Sequence, residues 1–347
     1  MGDRLQYFLR RLMLVGVSYI GIMMVTFLFT QIVPGGPIEQ YIAEMRAGSA
    51  EGGASGEAVV IPPEQLEALK RRFHFDKPLP VRFWIWLVED RFGMQATSTK
   101  FTNKTAWQLI SERFPVSLSF GIPSLILTYM ICIPLGIAKA LKNGKTFDLV
   151  SSLVVFTMYA MPAFAFGMLL KMFFSGTVEW GLDIFPLGGF RSPHFEELSL
   201  WEKWVDQLWH MVLPVTCYVI GNFAVMTLLM KNSLLDQISQ DYVRTVLAKG
   251  ATLQHAVWKH AVRNALIPLA TGIGGILSIM FAGSVLIEQV FDIRGIGWLS
   301  LDAAVTRDYP LFLGIVSLQA ILGLLGRVLS DFCYILIDPR IHFGGNR

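Results

Sequence analysis

Charge is what this sequence has least of. Only 16% of its 347 residues are Asp, Glu, Lys or Arg, against roughly a quarter in soluble proteins. The formal net charge of +3 is too small to point to nucleic acid, and none is expected as a partner. Cysteine is as sparse. Cys132, Cys217 and Cys333 all lie inside apolar runs, where packing is expected rather than a disulfide or a metal. No CxxC or HExxH spacing occurs, so no metal site is expected. A phosphate-binding loop is lacking too. "NGKTF" ends like one at Gly144-Lys145-Thr146, but the first glycine of GxxxxGK[ST] would fall on Lys139, and no strand-like run precedes it. This chain is therefore expected to hold no cofactor.

Apolar residues fill the space that charge leaves. They make up 53% of the chain, and the mean hydropathy is +0.51. In water such a chain would expose large greasy patches, so lipid is the expected solvent. Six runs reach the ~20 residues that a helix needs to cross a bilayer core. They are Leu12–Val33, Val116–Ala138, Leu149–Phe174, Leu208–Met230, Ile267–Val290 and Leu311–Ile337. The expected fold is an all-α polytopic membrane protein with six transmembrane helices. The first run is too long for a signal peptide and leads into "VPGGP" rather than a small-residue cleavage site, so it is expected to be retained.

Basic residues orient the spans. One side collects Arg4, Arg10, Arg11, Lys139, Lys142, Lys145, Lys231, Arg244, Lys249, Lys259, Arg263, Arg340 and Arg347; short loops on the other carry only Arg191, Lys203, Arg294 and Arg307. Both termini and the 231–266 stretch are therefore expected in the cytoplasm. The chain divides into a tail and first span (1–33), a periplasmic region (34–115), a transmembrane core (116–337) with a loop at 239–268, and a cytoplasmic tail (338–347). Within 34–115, "AGSAEGGASGE" predicts a flexible stretch, "PPEQLEALKRRF" a helix with prolines at its start, and "VRFWIWLVEDRF" an aromatic cluster suited to an interface. Its size, with the carboxylates of loop 175–207, fits either a shield over the mouth or a docking face. Pro123, Pro134, Pro162, Pro214 and "TGIGG" at 271–275 fit ordinary close packing of membrane helices, or the lining of a path that opens.

Residues 239–268 interrupt the apolar pattern with charge. From Asp241 to Lys249, Tyr242, Val243, Val246 and Leu247 follow helical spacing, and Gly250 is placed to end that helix. Thr252 can cap a second helix, in which Leu253, Ala256, Val257 and Ala261 share a face while His255, Lys259 and Arg263 lie elsewhere. This pattern fits a hairpin on acidic lipid or a docking element for a cytoplasmic protein.

"DYVRTVLAKG" followed by "KHAVRNALIP" resembles the EAA loop of bacterial ABC importer permeases, in the form of the peptide/nickel branch. A literal Glu-Ala-Ala is absent; Arg244, Thr245 and Val246 stand near that position. "IVPGGPIEQ", "FHFDKPLPVRFW", "FPVSLSFG", "YAMPAFAFG", "FPLGGF", "GSVLIEQVFDIRGIGWL", "TRDYP" and "DFCYILIDPR" resemble the B-type permease of peptide importers. "GKTFD", "LWHMVLPV" and "KNSLLDQ" are most similar to its peptide and microcin C branch (Yej-type). The resemblance implies that the loop forms coupling helices seated in an ATPase groove. It assigns the coupling to Asp241, Tyr242, Arg244, Ala248, Lys249, Gly250, His260, Arg263, Asn264 and Pro268. It also implies a second homologous permease, two ATPase subunits that bind the ATP and Mg, a periplasmic peptide-binding protein and a peptide substrate, with no covalent chemistry in this chain.

Ionisable groups in spans are functional candidates. Arg327 and Asp331 are placed four apart and can neutralise each other; Lys171 can snorkel. Gly283, Ser284 and Glu288, at the end of the fifth run, fit either an anchor or a gate lining the path. A self-sufficient secondary transporter or channel would want midplane acids, inverted repeats or a filter, and none is evident. An intramembrane hydrolase would want a catalytic set at membrane depth, whereas His210 and Asp331 stand isolated in the sequence.

Overall fold

The computed structural model describes residues 2–32, 67, 71, 74–101, 103–179, 181–270, 272, 274 and 284–337. Among these, the regular structure is helical, apart from isolated bridges pairing Thr97 with Thr105 and Ser175 with Asp183. In chain order the helices are α1 (Gly2–Ile32), α2 (Leu79–Trp84, leading into a π turn Ile85–Glu89), α3 (Ala106–Leu141), α4 (Thr146–Ala160) and α5 (Ala163–Phe174). Then come α6 (Leu200–Ile238), α7 (Asp241–Ala248), and α8, which starts as Leu253–Ala256 and continues through a π turn Val257–Ala261 into Val262–Ala265. The last three are α9 (Val285–Val290), α10 (Ile296–Val305) and α11 (Tyr309–Ile337).

Among the described residues, four helices are long and apolar enough to cross a membrane: Leu9–Ile32 of α1, α3, α6 and Tyr309–Cys333 of α11. The third expected span is not one straight helix. Its halves α4 and α5 meet at a 97° bend. Proline is the cause: it disfavours the helical region for the residue before it, and Met161 is extended (φ −98°, ψ 122°), with Pro162 capping α5. The fifth expected span, 267–290, is helical through Ala270 and at Gly272 and Gly274. Residues 275–283, including Gly283, lie outside the described residues. Ser284 is extended (φ −108°, ψ 105°) and its hydroxyl caps α9, so the helix ending at Val290 begins there.

The long helices outrun the apolar stretches that define them. α3 starts at Ala106, where Thr105 and Gln108 form a reciprocal cap: Gln108 N–H donates to Thr105 Oγ1 (3.3 Å) and Thr105 N–H to Gln108 Oε1 (2.9 Å). α6 starts with the matching Ser199–Glu202 capping box. Its 39 residues span about 58 Å at 1.5 Å each, against a hydrocarbon core of ~30 Å. The helix is therefore longer than a membrane crossing requires.

The chain forms two compact units: residues 1–15, 113–298 and 322–347 in one, 16–112 and 299–321 in the other. In the first, Gly136 lets α3 press on α6, since a Cβ there would lie 2.6 Å from Met230 Cβ and 2.9 Å from the Thr227 carbonyl. Gly274 meets the backbone of Gly326 just as closely, and its N–H donates to Ser330 Oγ at 2.9 Å. These glycines act as small contact residues between helices. Asp331 takes Arg11 (2.9 Å) as its ion-pair partner and accepts from Tyr7. The expected partner Arg327 is exposed instead, because adjacency on one helix does not fix which way a side chain turns once a neighbouring helix offers a donor.

In the second unit Trp86 is buried between Phe27 and Phe83, with ring centroids at 6.1 and 5.9 Å. Trp84 points outward and is 61% exposed. The aromatic cluster therefore splits into an interior and a surface half. Asp308 is fully buried, accepts from Ser98 Oγ, and caps α11 through Leu311 N–H (3.2 Å). Glu67 and Arg71 of the expected outer helix are helical and face each other at 3.8 Å. The Gly/Ser stretch lies outside the described residues.

Candidate functional site

The charged stretch folds as a helical hairpin, α7 and α8, at the end of α6. Ser239 and Gln240 turn the chain, and α7 runs to Ala248. Gly250 has φ +87°. Its N–H donates to the Leu247 carbonyl (2.9 Å) and Ala251 N–H to that of Val246 (3.3 Å). This paired closure of a helix end needs a left-handed residue, and glycine adopts that conformation without steric cost. Thr252 then caps α8, its hydroxyl accepting from His255 N–H (3.3 Å).

One face of the hairpin is spent on the chain itself. Val243, Ala256, Val257, Ala261, Ala265 and Leu269 are buried against Ile137 and Ala140 of α3 and Met230 and Leu234 of α6. The apolar stripe is thus an internal seam, and what remains for a partner is the rim. Leu253, expected on the buried face, is instead 51% exposed. Ala256, Val257 and Ala261 of that expected face are buried, while Leu253, at the first position of α8, lies outside the seam. Leu247, Leu253 and Trp258 are the exposed large apolar side chains of the hairpin. They sit among exposed Asp241, Arg244, Ala248, Lys249, His255, Lys259 and Arg263.

Polar bonds fix the hairpin to its supports. Tyr242 Oη donates to Gln237 Oε1 of α6 (2.8 Å) and accepts from Asn264 Nδ2 of α8 (3.2 Å), tying three helices at one hydroxyl. Ser233 Oγ donates to the Ala265 carbonyl (2.9 Å), and Tyr129 Oη of α3 to that of Leu269 (2.9 Å). His260 is half-buried with its ring 6.3 Å from that of His255. Pro268 is half-buried where the chain continues into the next helix. Asp241 and Arg244 approach only to 3.5 Å and are largely exposed, so their pairing fixes little. Helical spacing brought out Tyr242, and the family resemblance brought out Asn264. Spacing gave no sign of Tyr129, inside the second apolar run, or of Ser233, just past the end of the fourth; both act on carbonyls distant in the chain.

Glu288 belongs to a different place. It is 1% exposed. Oε1 accepts from Ser117 Oγ of α3 (3.0 Å) and Oε2 from Trp298 N–H in the first turn of α10 (2.7 Å). Ser117 Oγ in turn accepts from Ile296 N–H (2.8 Å). A carboxylate on the first N–H groups of a helix satisfies donors that have no partner within the helix. Gly295 leaves the room, since a Cβ there would lie 2.6 Å from Oε1. With both oxygens engaged in this turn, the geometry is that of an anchor. Ser284, whose N–H donates to Tyr218 Oη (2.7 Å), is held beside it. Lys171 Nζ donates to the Val290 carbonyl (2.9 Å) at the end of α9.

Residues 132–343, which contain the hairpin and the Glu288 anchor, match the family described as binding-protein-dependent transport system inner membrane component. The chain is 38% identical over 365 residues to the inner membrane ABC transporter permease protein YejB of Escherichia coli, covering 98% of this chain and 99% of that protein. It is also 38% identical to the peptidoglycan transport system permease protein YejB of Agrobacterium fabrum, covering 97% and 98% respectively. Identity to the dipeptide transport system permease protein DppB of Escherichia coli is 33%, again over 97% and 98%. A chain with several membrane-length apolar helices, a charged hairpin stitched to two of them, and similarity that runs nearly end to end lead to one assignment: the chain belongs to the family of binding-protein-dependent transport system inner membrane components.

Proposed function

We propose that this chain is one of two homologous permeases of an ABC importer for oligopeptides, a class that includes microcin C-like peptide antibiotics. The hairpin 239–268 is the element on which an ATPase subunit acts. Its geometry carries the reading. The inner face is buried on α3 and α6 and locked by Tyr242, so the hairpin moves as one piece with the helices that hold it. The exposed rim offers Leu247, Leu253 and Trp258 ringed by charge, the composition of a protein-binding surface with an apolar centre and polar edge. ATP and Mg reside on two ATPase subunits, and closure of that pair pulls the hairpin. The permease performs no covalent chemistry. Both termini and the hairpin lie in the cytoplasm, and 34–115 and 175–207 face a periplasmic peptide-binding protein. The peptide substrate follows from relatives named for dipeptide and peptidoglycan transport.

The test is association and uptake together. In the importer assembled from its subunits, Leu253→Glu should release the ATPase subunits on size-exclusion chromatography and abolish uptake of labelled di- and tripeptides. Retained ATPase subunits, or uptake by this chain purified alone, would overturn the reading.

A further inference from the structure

Where α3, α4 and α6 meet, two lysines share one carboxylate. Lys139 of α3 is fully buried, and Asp148, in the first turn of α4, is 6% exposed. Lys139 Nζ lies 3.1 Å from Asp148 Oδ1 and donates to Ser151 Oγ (2.9 Å), Ser152 Oγ (2.7 Å) and the Asp148 carbonyl (3.1 Å). Lys231 Nζ of α6 grips the same carboxylate at 2.8 and 2.7 Å. Gly144 N–H, at φ +75° in the α3–α4 turn, donates to Asp148 Oδ2 (3.1 Å). The residues that imitate the end of a phosphate loop thus form the turn that cradles this aspartate.

The cluster is placed where α4 has little else to hold it. Of its fifteen residues only Asp148 and Val155 are buried. In lipid, an apolar side chain gains little by leaving the acyl chains for a helix, so directional polar bonds and close packing decide where such a helix sits. Lys139 lies between Ile137 and Ala140, and Lys231 follows Met230; those three neighbours form the seam on which the hairpin rests. The same stretches of α3 and α6 therefore grip the hairpin on one side and Asp148 on the other. Beyond Asp148, α4 leads to the 97° bend at Met161-Pro162 and into α5.

We propose that Asp148, gripped by Lys139 and Lys231, is a positioning residue for transport: it fixes α4 to the helix ends that carry the hairpin, so that a pull on the hairpin displaces the bent α4–α5 pair. This extension rests on the importer reading above for its transport consequence, but not for its mechanical one. Lys231→Met is the informative change, because it cuts the tie to α6 and leaves the Lys139–Asp148 pair neutral and intact. Asp148→Asn leaves two ammonium groups without a counter-charge and is the severe variant. Asp148→Glu keeps the charge.

The mechanical arm uses nitroxides on Leu153→Cys and Gln254→Cys, both exposed positions, in the assembled importer. Pulsed dipolar spectroscopy should give a narrow distance distribution in the parent. It should broaden in Lys231→Met and recover in Asp148→Glu. The transport arm measures di- and tripeptide uptake per ATP hydrolysed in proteoliposomes. It should fall in Lys231→Met by about fivefold to 150-fold, the usual span of a coupling between sites, with the ATPase subunits still bound. An unchanged distance distribution in Lys231→Met overturns the proposal. So does a broadened distribution with uptake per ATP unaltered. Loss of uptake from the parent itself would instead fault the importer reading, and the spectroscopic arm would still decide the tie.

Discussion

Replacing Gly250 by valine isolates one physical quantity, because the site is sterically empty. A Cβ at Gly250 would meet nothing within 4 Å, so no clash contributes and the cost is purely that of φ +87°. For an L-residue the left-handed region costs roughly 1–2 kcal/mol, and β-branching adds to it. The chain can accept that strain or give up the two closing bonds from Gly250 N–H and Ala251 N–H. Either way the present angle between α7 and α8 loses about 1–2 kcal/mol, a factor of about 5–30 in its population. Gly250→Asn is the internal control, since asparagine tolerates this conformation. Valine and asparagine fill the same empty space, so their difference reports backbone conformation alone. The assay is peptide-stimulated ATP hydrolysis and uptake by the assembled importer, with amide hydrogen exchange over 241–265. Gly250→Val should exchange faster in the hairpin and lose most uptake per ATP, while Gly250→Asn stays near the parent. Equal behaviour of the two variants would refute the claim that this turn sets the hairpin geometry.

Three further outcomes follow. Trp86→Ala should lower stability by about 3–5 kcal/mol, as for a buried aromatic, whereas the exposed Trp84→Ala should stay within about 0.5 kcal/mol; thermal unfolding in detergent separates them. Glu288→Gln keeps one acceptor and turns an NH2 toward a donor, so it should cost about 1–3 kcal/mol and speed hydrogen exchange over 295–299; exchange rates like the parent's would contradict the anchor. With cysteines at Glu197 and Gln254, a membrane-impermeant maleimide added to the periplasmic side should label the first and spare the second; the reverse would invert the topology.

Local features were legible in the sequence, because backbone sterics and short-range periodicity set them. Apolar runs of sufficient length marked α1, α3, α6 and α11, and their lengths follow from the rise per residue of a helix. Gly250 ends α7 and Thr252 caps α8 for reasons contained within five residues of chain. Pro162 was visible too, although its consequence, a break rather than a gentle bend, depended on the extended backbone at Met161.

Whatever required two distant segments to meet was decided by the tertiary structure. Asp331 found Arg11 across more than three hundred residues of chain rather than Arg327 one turn away. Trp86 turned inward and Trp84 outward from a run in which both looked alike. Leu253, at the first position of α8, came to the surface although Ala256, Val257 and Ala261 of the same expected face were buried. Asp148, the last residue of "GKTFD", gained its partners only when α3 and α6 each brought a lysine to it. The physical reason is common to these cases. In lipid both faces of a helix are apolar, so hydropathy says that a segment is buried in the membrane but not which face meets protein; only the packing of helices against one another makes that choice.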